Sequence, residues 1–364
     1  MKILMVISSL TTGGAERVCS FLANRWCKNH EIVLVTLKGY KYDFFSVSPD
    51  VKRYAIGIER KRWFFILPTL FLIIKLRKII LEEKPNYIIS FVIKTNIFTL
   101  LSLLGTEYPI IVTEHSIIMN RTVDWKQHLF RNLLYKRSNK ITVLSSSIKN
   151  EMIKVYPSIN SEKIIVVPNP FIEPTQELHH NIARGKVIIT VGRIVPLKRI
   201  DLLVKAFKLF VNENSDFRLT IIGDGPERNS IEKLIQEEQL STQVTMLGFI
   251  KDIYEYLYHA SLFVLTSEHE GFGLVLLEAM YASLPIVAFD VPGVRDVIES
   301  GKNGILVPFG DILTLAKTMH MLIHDEELQK KLIKEGKETL KKYSPKNIDN
   351  IWFKKVLIEP LAKI

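Results

Sequence analysis

Two carboxylates, Glu270 and Glu278, flank the stretch Gly271-Phe272-Gly273-Leu274-Val275-Leu276-Leu277. Ionised carboxylates only accept hydrogen bonds, so such a pair suits a ligand rich in hydroxyls. The glycines between them let backbone amides approach the same ligand. The competing reading makes Glu270 a surface cap and Glu278 a helix residue near the solvent edge. In Gly192-Arg193-Ile194-Val195-Pro196-Leu197-Lys198 two cations stand five residues apart. They can clamp a diphosphate without a metal, or they are two solvated surface charges. His115, in Thr113-Glu114-His115-Ser116, can hydrogen-bond a substrate hydroxyl or stabilise developing positive charge; the alternative is a satisfied structural histidine. Gly13-Gly14 can bring amides to a phosphate at a helix N-terminus, or simply make a tight turn. Turn chemistry explains Gly223-Asp224-Gly225-Pro226.

These residues are useful only if something holds them at the ends of strands. Short β-branched runs alternate with helical spacing along the chain, predicting strands at 3–7, 32–37, 87–91, 110–113 and 141–144. After 164–167 the pattern breaks at Pro168-Asn169-Pro170, and 171–186 reads as a polar linker. A second series follows at 187–191, 219–222, 244–247, 262–265, 285–289 and 305–307. Alternation of this kind predicts an α/β protein of two Rossmann-like domains with a central cleft. The boundaries are 1–170 and 171–345, with a C-terminal helix at 346–364 that carries Trp352, Val356 and Leu357. Ligands of such sheets bind at the carboxyl ends of strands, and every candidate above lies in a loop after a strand or at the start of the following helix.

Composition narrows the classes. The 364 residues are 47% hydrophobic and 24% charged, enough for full cores and unlike a disordered chain. Two cysteines, Cys19 and Cys27, allow neither a disulfide framework nor zinc spacing, and they fit a reducing cytoplasm. No Asp-x-Asp occurs, so a carboxylate-held magnesium is unsupported and no metal or other cofactor is expected. G-x-G-x-x-G and P-loop fingerprints are missing. Residues 1–10 have the lysine and apolar run of a short signal peptide, but no small-residue cleavage site follows before Glu16-Arg17. A buried first strand fits them better.

The net charge of +11 is uneven: between Lys52 and Lys84 nine basic residues face three acids. That window holds Trp63-Phe-Phe-Ile-Leu-Pro-Thr-Leu-Phe-Leu-Ile-Ile74, too short to span a bilayer. It reads either as a segment lying on an anionic membrane face or as a buried helix with a basic end. Nucleic acid is not expected, since no binding motif appears.

Taken in order, Gly13-Gly14-Ala15-Glu16-Arg17, Glu114-His115, Gly192-Arg193 with Lys198, Gly223-Asp224-Gly225-Pro226 and the Glu270/Glu278 pair resemble the retaining glycosyltransferases of family 4. The match covers nearly the whole chain. The opening motif with Glu-His-Ser looks most like bacterial enzymes extending lipid-linked oligosaccharides for O-antigen, capsule or protein glycans. The resemblance implies the GT-B fold and a nucleotide-sugar donor, weighted toward UDP. It also implies a polyprenyl-diphosphate-linked acceptor and a peripheral place on the inner face of the cytoplasmic membrane. Arg193 and Lys198 would hold the donor diphosphate with help from Gly13 and Gly14, and Glu278 the ribose. Glu270, with amides around Gly271, Phe272, Gly273 and Leu274, would hold the donor sugar, while His115 would stand near the reacting centre. The base would rest beside Gly248, Phe249 and Ile250. Alternatives are a GT-B nucleotide-sugar epimerase or phosphorylase, or a non-catalytic membrane-surface scaffold.

Overall fold

A computed structural model describes residues 1–57, 66–115, 125–174 and 184–357, with only the backbone of 66 and 67. Among the described residues the chain divides into two compact units. One comprises Met1–Pro170 and the chain from Ile348 onward; the other is Phe171–Asn347.

The first unit alternates strand and helix: β1 (Lys2–Ile7), α1 (Gly14–Trp26), β2 (Glu31–Thr36), β3 (Lys52–Ala55), α2 (Ile66–Glu83), β4 (Tyr87–Phe91) and α3 (Ile93–Ser102). It continues with β5 (Ile110–Glu114), α4 (Trp125–Leu134), β6 (Lys140–Val143), α5 (Ser146–Val155) and β7 (Ile164–Val166). All pairings are parallel, in the order β3-β2-β1-β4-β5-β6-β7. The inner strands are continuous apolar runs because helices cover both faces of a parallel sheet; Ile3 through Ile7 are fully buried. Strand order reverses at β1, so the loops after β1 and β4 leave on opposite sides.

Two stretches hold more structure than the sequence pattern predicts. The basic window after Lys52 begins with an edge strand, β3, whose four residues are too few for periodicity to reveal. From Ile66 on, its apolar segment forms the start of a longer helix, α2, while residues 58–65 lie outside the described residues. The stretch 171–186 is also not simply a polar linker. Phe171 is buried, its N–H donates to the Tyr343 carbonyl at 2.8 Å, and its ring lies 5.1 Å from that of Tyr281. His179 and His180 lie outside the described residues.

The second unit contains β8 (Val187–Val191), α6 (Ile200–Val211), β9 (Arg218–Ile222), α7 (Arg228–Glu237), β10 (Val244–Gly248), α8 (Tyr254–His259) and β11 (Leu262–Leu265). After these come α9 (Leu274–Tyr281), β12 (Ile286–Asp290), β13 (Ile305–Pro308), α10 (Ile312–His324) and α11 (Glu326–Lys342). Its parallel sheet has the order β10-β9-β8-β11-β12-β13, with the reversal at β8 and β11.

Helix α12 (Pro345–Ile351) returns the chain to the first unit and ends in a π turn, Trp352–Val356. There the Trp26 indole donates to Asp349 at 2.8 Å, and the Trp26 ring meets Trp352 and Phe353 edge-on at 5.6 and 5.2 Å. Residues 358–364 of the expected terminal helix lie outside the described residues.

Candidate functional site

At the switch point of the second unit, the loops after β8 and β11 are joined by their own backbones. The Glu268 N–H donates to the Leu197 carbonyl at 2.9 Å, and the Thr266 hydroxyl to the Lys198 carbonyl at 3.1 Å. This brings the Lys198 ammonium onto the Glu270 carboxylate in a direct ion pair. The Ser267 hydroxyl donates to the same oxygen, Oε1, at 2.8 Å. Both side chains of the ion pair are largely buried, so the pair is screened far less than a surface bridge.

Two further turns hold this loop pair in place. The turn after β9 lies against the loop after β8: a Cβ at Gly223 would sit 1.8 Å from the Gly192 carbonyl oxygen, and one at Gly225 would sit 2.2 Å from that of Ile194. The glycines of Gly223-Asp224-Gly225-Pro226 are therefore required by close backbone approach. Gly293, in the turn after β12, has φ +84° and room for no Cβ, which would lie 2.0 Å from the Glu270 carbonyl oxygen.

Glu278 lies on α9, one turn from its start, and is buried. Gly273 caps that helix with φ 74°, a left-handed conformation that favours glycine, and as a glycine it offers the first-turn amides no side-chain cap. Phe272 packs edge-on against Tyr343 with ring centres 5.2 Å apart, which fixes the Gly271–Leu274 backbone. Arg193 is exposed and its guanidinium has no ion-pair partner among the described residues. Phe249 is exposed at the end of β10, with Ile250 half-buried beside it. The structure thus joins Lys198 to Glu270 and leaves Arg193 outside their ion pair.

In the first unit, Gly13 and Gly14 open α1 after β1. Gly13 has an ordinary φ of −86°, and the Glu16 carboxylate lies over it, where a Cβ would be 2.1 Å from Oε2. A phosphate at this turn has to displace that carboxylate. His115 follows β5, its ring 5.7 Å from that of Phe91, and its buried Nδ1 has no hydrogen-bond partner among the described residues. Burial pushes the imidazole down to about 4, so it is neutral at pH 7. Ser116 lies outside the described residues.

Glu114 points into the core instead. Its carboxylate takes Arg131 Nη2 at 2.9 Å and Nε at 3.1 Å, plus the Tyr135 hydroxyl. Burial, and the charge of Glu114 beside it, hold the Tyr135 phenol well above its ordinary range, so it remains a donor. Arg131, Ser267, Thr266 and Gly293 were not foreseen from the sequence. Pro292-Gly293 after a strand was a readable turn signal, and Ser267 stood three residues before Glu270; nothing local marked Arg131.

The family description "Glycosyltransferase Family 4" matches residues 12–171, and "Glycosyl transferases group 1" matches residues 175–339. The chain belongs to the family 4 glycosyltransferases. It is similar to a Campylobacter jejuni enzyme named as a GalNAc-alpha-(1->4)-GalNAc-alpha-(1->3)-diNAcBac-PP-undecaprenol alpha-1,4-N-acetyl-D-galactosaminyltransferase. The two are 27% identical, over 97% of this chain and 98% of the relative. A Staphylococcus aureus poly(ribitol-phosphate) alpha-N-acetylglucosaminyltransferase is 28% identical over 68% of this chain and 50% of its own length. Among solved structures, Anabaena HepE in complex with UDP-glucose has a TM-score of 0.80 at 20% identity, covering 98% of this chain and 99% of that one. This family 4 glycosyltransferase therefore has the GT-B fold of two Rossmann-like domains.

Among the described residues no three His, Cys, Asp or Glu side chains stand together to hold a metal ion. The polar groups gathered at the switch point of the second unit are the Lys198 ammonium, the Glu270 carboxylate and the Ser267 hydroxyl, with the exposed Arg193 outside their ion pair and Glu278 on α9.

Proposed function

We propose that this glycosyltransferase moves a hexose or N-acetylhexosamine from a UDP-sugar to a polyprenyl-diphosphate-linked glycan, with retention at the anomeric carbon and without a metal. The observation that carries the reading is the Lys198–Glu270–Ser267 cluster at the switch point of the second sheet, beside the glycine-capped start of α9. Lys198 and Arg193 neutralise the donor diphosphate together with the α9 amides. Glu270 accepts from the sugar hydroxyls and Glu278 from the ribose diol. Phe249 and Ile250 flank the base. His115, neutral, offers a lone pair or an N–H to the sugar without adding charge.

In the chemical step the anomeric C–O bond to the departing phosphate breaks, and a bond from the acceptor oxygen forms on the same face. The acceptor proton passes to the leaving phosphate oxygen, so no protein carboxylate serves as nucleophile. The acceptor assignment is supported by the undecaprenyl-linked acceptor in the name of the Campylobacter relative. The cations Lys75 and Lys78 beside apolar residues of α2 favour a peripheral site on the inner face of the cytoplasmic membrane. Calorimetry with UDP tests the donor site. Binding should be indifferent to EDTA and fall at least about tenfold in Glu278→Ala, the cost of roughly one charge-assisted hydrogen bond. Unchanged affinity in that variant overturns the ribose assignment.

A further inference from the structure

Helix α4 is turned inside out. Trp125, Leu129 and Leu133 recur at every fourth residue along its outer face and are 68%, 47% and 53% exposed, with Phe130 beside them at 40%. Its inner face carries His128, Arg131 and Leu134, with Tyr135 in the turn just past its end, and Arg131 is 0% exposed. A surface helix ordinarily buries its apolar stripe. Here the Arg131–Glu114 ion pair forbids that: rotating α4 to bury the leucines would leave the Glu114 carboxylate buried without its cation, a strongly destabilising change.

The surroundings of this face say what covers it. Helix α4 packs on α3, and α3 on α2, where Leu70, Phe71 and Ile74 are also exposed. The apolar residues are framed by Lys75, Lys78, Lys94, Lys126, Lys136 and Arg137. No acid occurs between Lys84 and Thr106, or from Trp125 to Arg137. An apolar stripe with an exposed tryptophan, framed mainly by cations, with Glu82 of α2 as an exposed acid paired to Lys78, matches the boundary of an anionic bilayer in both polarity and charge. No described helix is long and apolar enough to cross one.

We propose that α4 is a membrane-reading helix: its outer face docks on an anionic lipid surface, and its inner face, through the Arg131–Glu114 pair, sets the position of His115. Glu114 is the residue before His115, and Arg131 grips both of its carboxylate oxygens. A second tie runs from His128 to the Tyr156 hydroxyl at 2.5 Å, and that hydroxyl also accepts from Arg131 at 3.3 Å. A shift of α4 on docking is therefore passed to the His115 peptide. The proposal rests on the transferase reading only for the importance it gives His115.

The test uses the full chain. In sedimentation with phosphatidylcholine vesicles, with and without phosphatidylglycerol, the wild type should bind the anionic vesicles. Leu129→Ser/Leu133→Ser should partition at least about tenfold more weakly while its unfolding curve and UDP binding stay unchanged. Equal sedimentation of this variant and the wild type overturns docking through α4. For the coupling, the carbethoxylation rate of His115 by diethyl pyrocarbonate is followed by mass spectrometry with and without vesicles. The wild-type rate should change on vesicle addition. Arg131→Met should bind vesicles yet show no change, and Tyr135→Phe, which keeps the ring and removes one bond to Glu114, should show a smaller one. A vesicle-dependent change in Arg131→Met equal to that of the wild type overturns the coupling. Failure of wild-type UDP binding would instead sink the transferase reading, and leaves the vesicle experiments standing.

Discussion

At the level of single residues, Lys198 and Glu270 form a charged pair in which the proposed ligand contacts and the stability of the fold depend on the same side chains. Because both are largely buried, Lys198→Met leaves Glu270, among the described residues, with only the Ser267 hydroxyl. Urea unfolding should then show a loss of about 1–3 kcal/mol. Lys198→Met/Glu270→Gln should recover part of that stability but none of the transfer activity; a double variant no more stable than Lys198→Met would contradict the pairing. His115 gives a prediction in pH. Its folded value of about 4 lies below the ordinary histidine value of 6.5, so the unfolded chain binds the proton more readily between those limits. The contribution of His115 is fully present above pH 6.5 and is lost as pH falls toward 4, with an upper bound of about 3 kcal/mol. Stability measured across pH 4–7 should therefore fall less steeply in His115→Gln than in the wild type. An identical slope in both would show that the imidazole is not held neutral by burial.

At the level of elements, the site is a set of turns pressed together, and the pressure falls on glycines. Gly293→Ala combines a left-handed backbone with a Cβ driven into the Glu270 carbonyl, so it should cost about 3 kcal/mol or more and weaken UDP binding. Gly301 shares the positive φ, at +77°, with nothing within 4 Å of a Cβ; Gly301→Ala should cost only about 1 kcal/mol and leave UDP binding unchanged. Equal losses would mean that backbone conformation alone, and not the Glu270 contact, decides. The same contrast explains what could be read from sequence. Strand–turn–helix alternation and the apolar strands were legible, because parallel sheets demand continuous apolar runs. So was the start of α9 after Gly273. The four-residue β3 left no periodic trace. Arg131 was invisible for a different reason: its partner Glu114 is 17 residues away and its helix runs opposite to the usual polarity, so local pattern predicts Arg131 on the surface. Lys198 and Glu270 were each identified, but their contact, across 72 residues, belongs to the topology that sets β8 beside β11.

At the level of the whole molecule, the chain crosses from one unit to the other twice, and the second crossing gives the first unit part of its core. Trp352, Val356 and Leu357 are buried, Asp349 takes the Trp26 indole, and Arg25 pairs with the same carboxylate. The first unit is thus completed by residues from Ile348 onward, far in sequence from the rest of it, while the candidate cluster Lys198–Glu270–Ser267 lies wholly in the second. Truncation after Asn347 should separate the two. Losing these buried side chains should lower the unfolding transition of the first unit by about 10 °C or more in scanning calorimetry. The second unit keeps its own core, so its transition and the rise that UDP gives it should be unaffected. If instead both transitions fall together and UDP no longer raises either, the two units unfold as one and the C-terminal return stabilises the whole chain, not the first sheet alone.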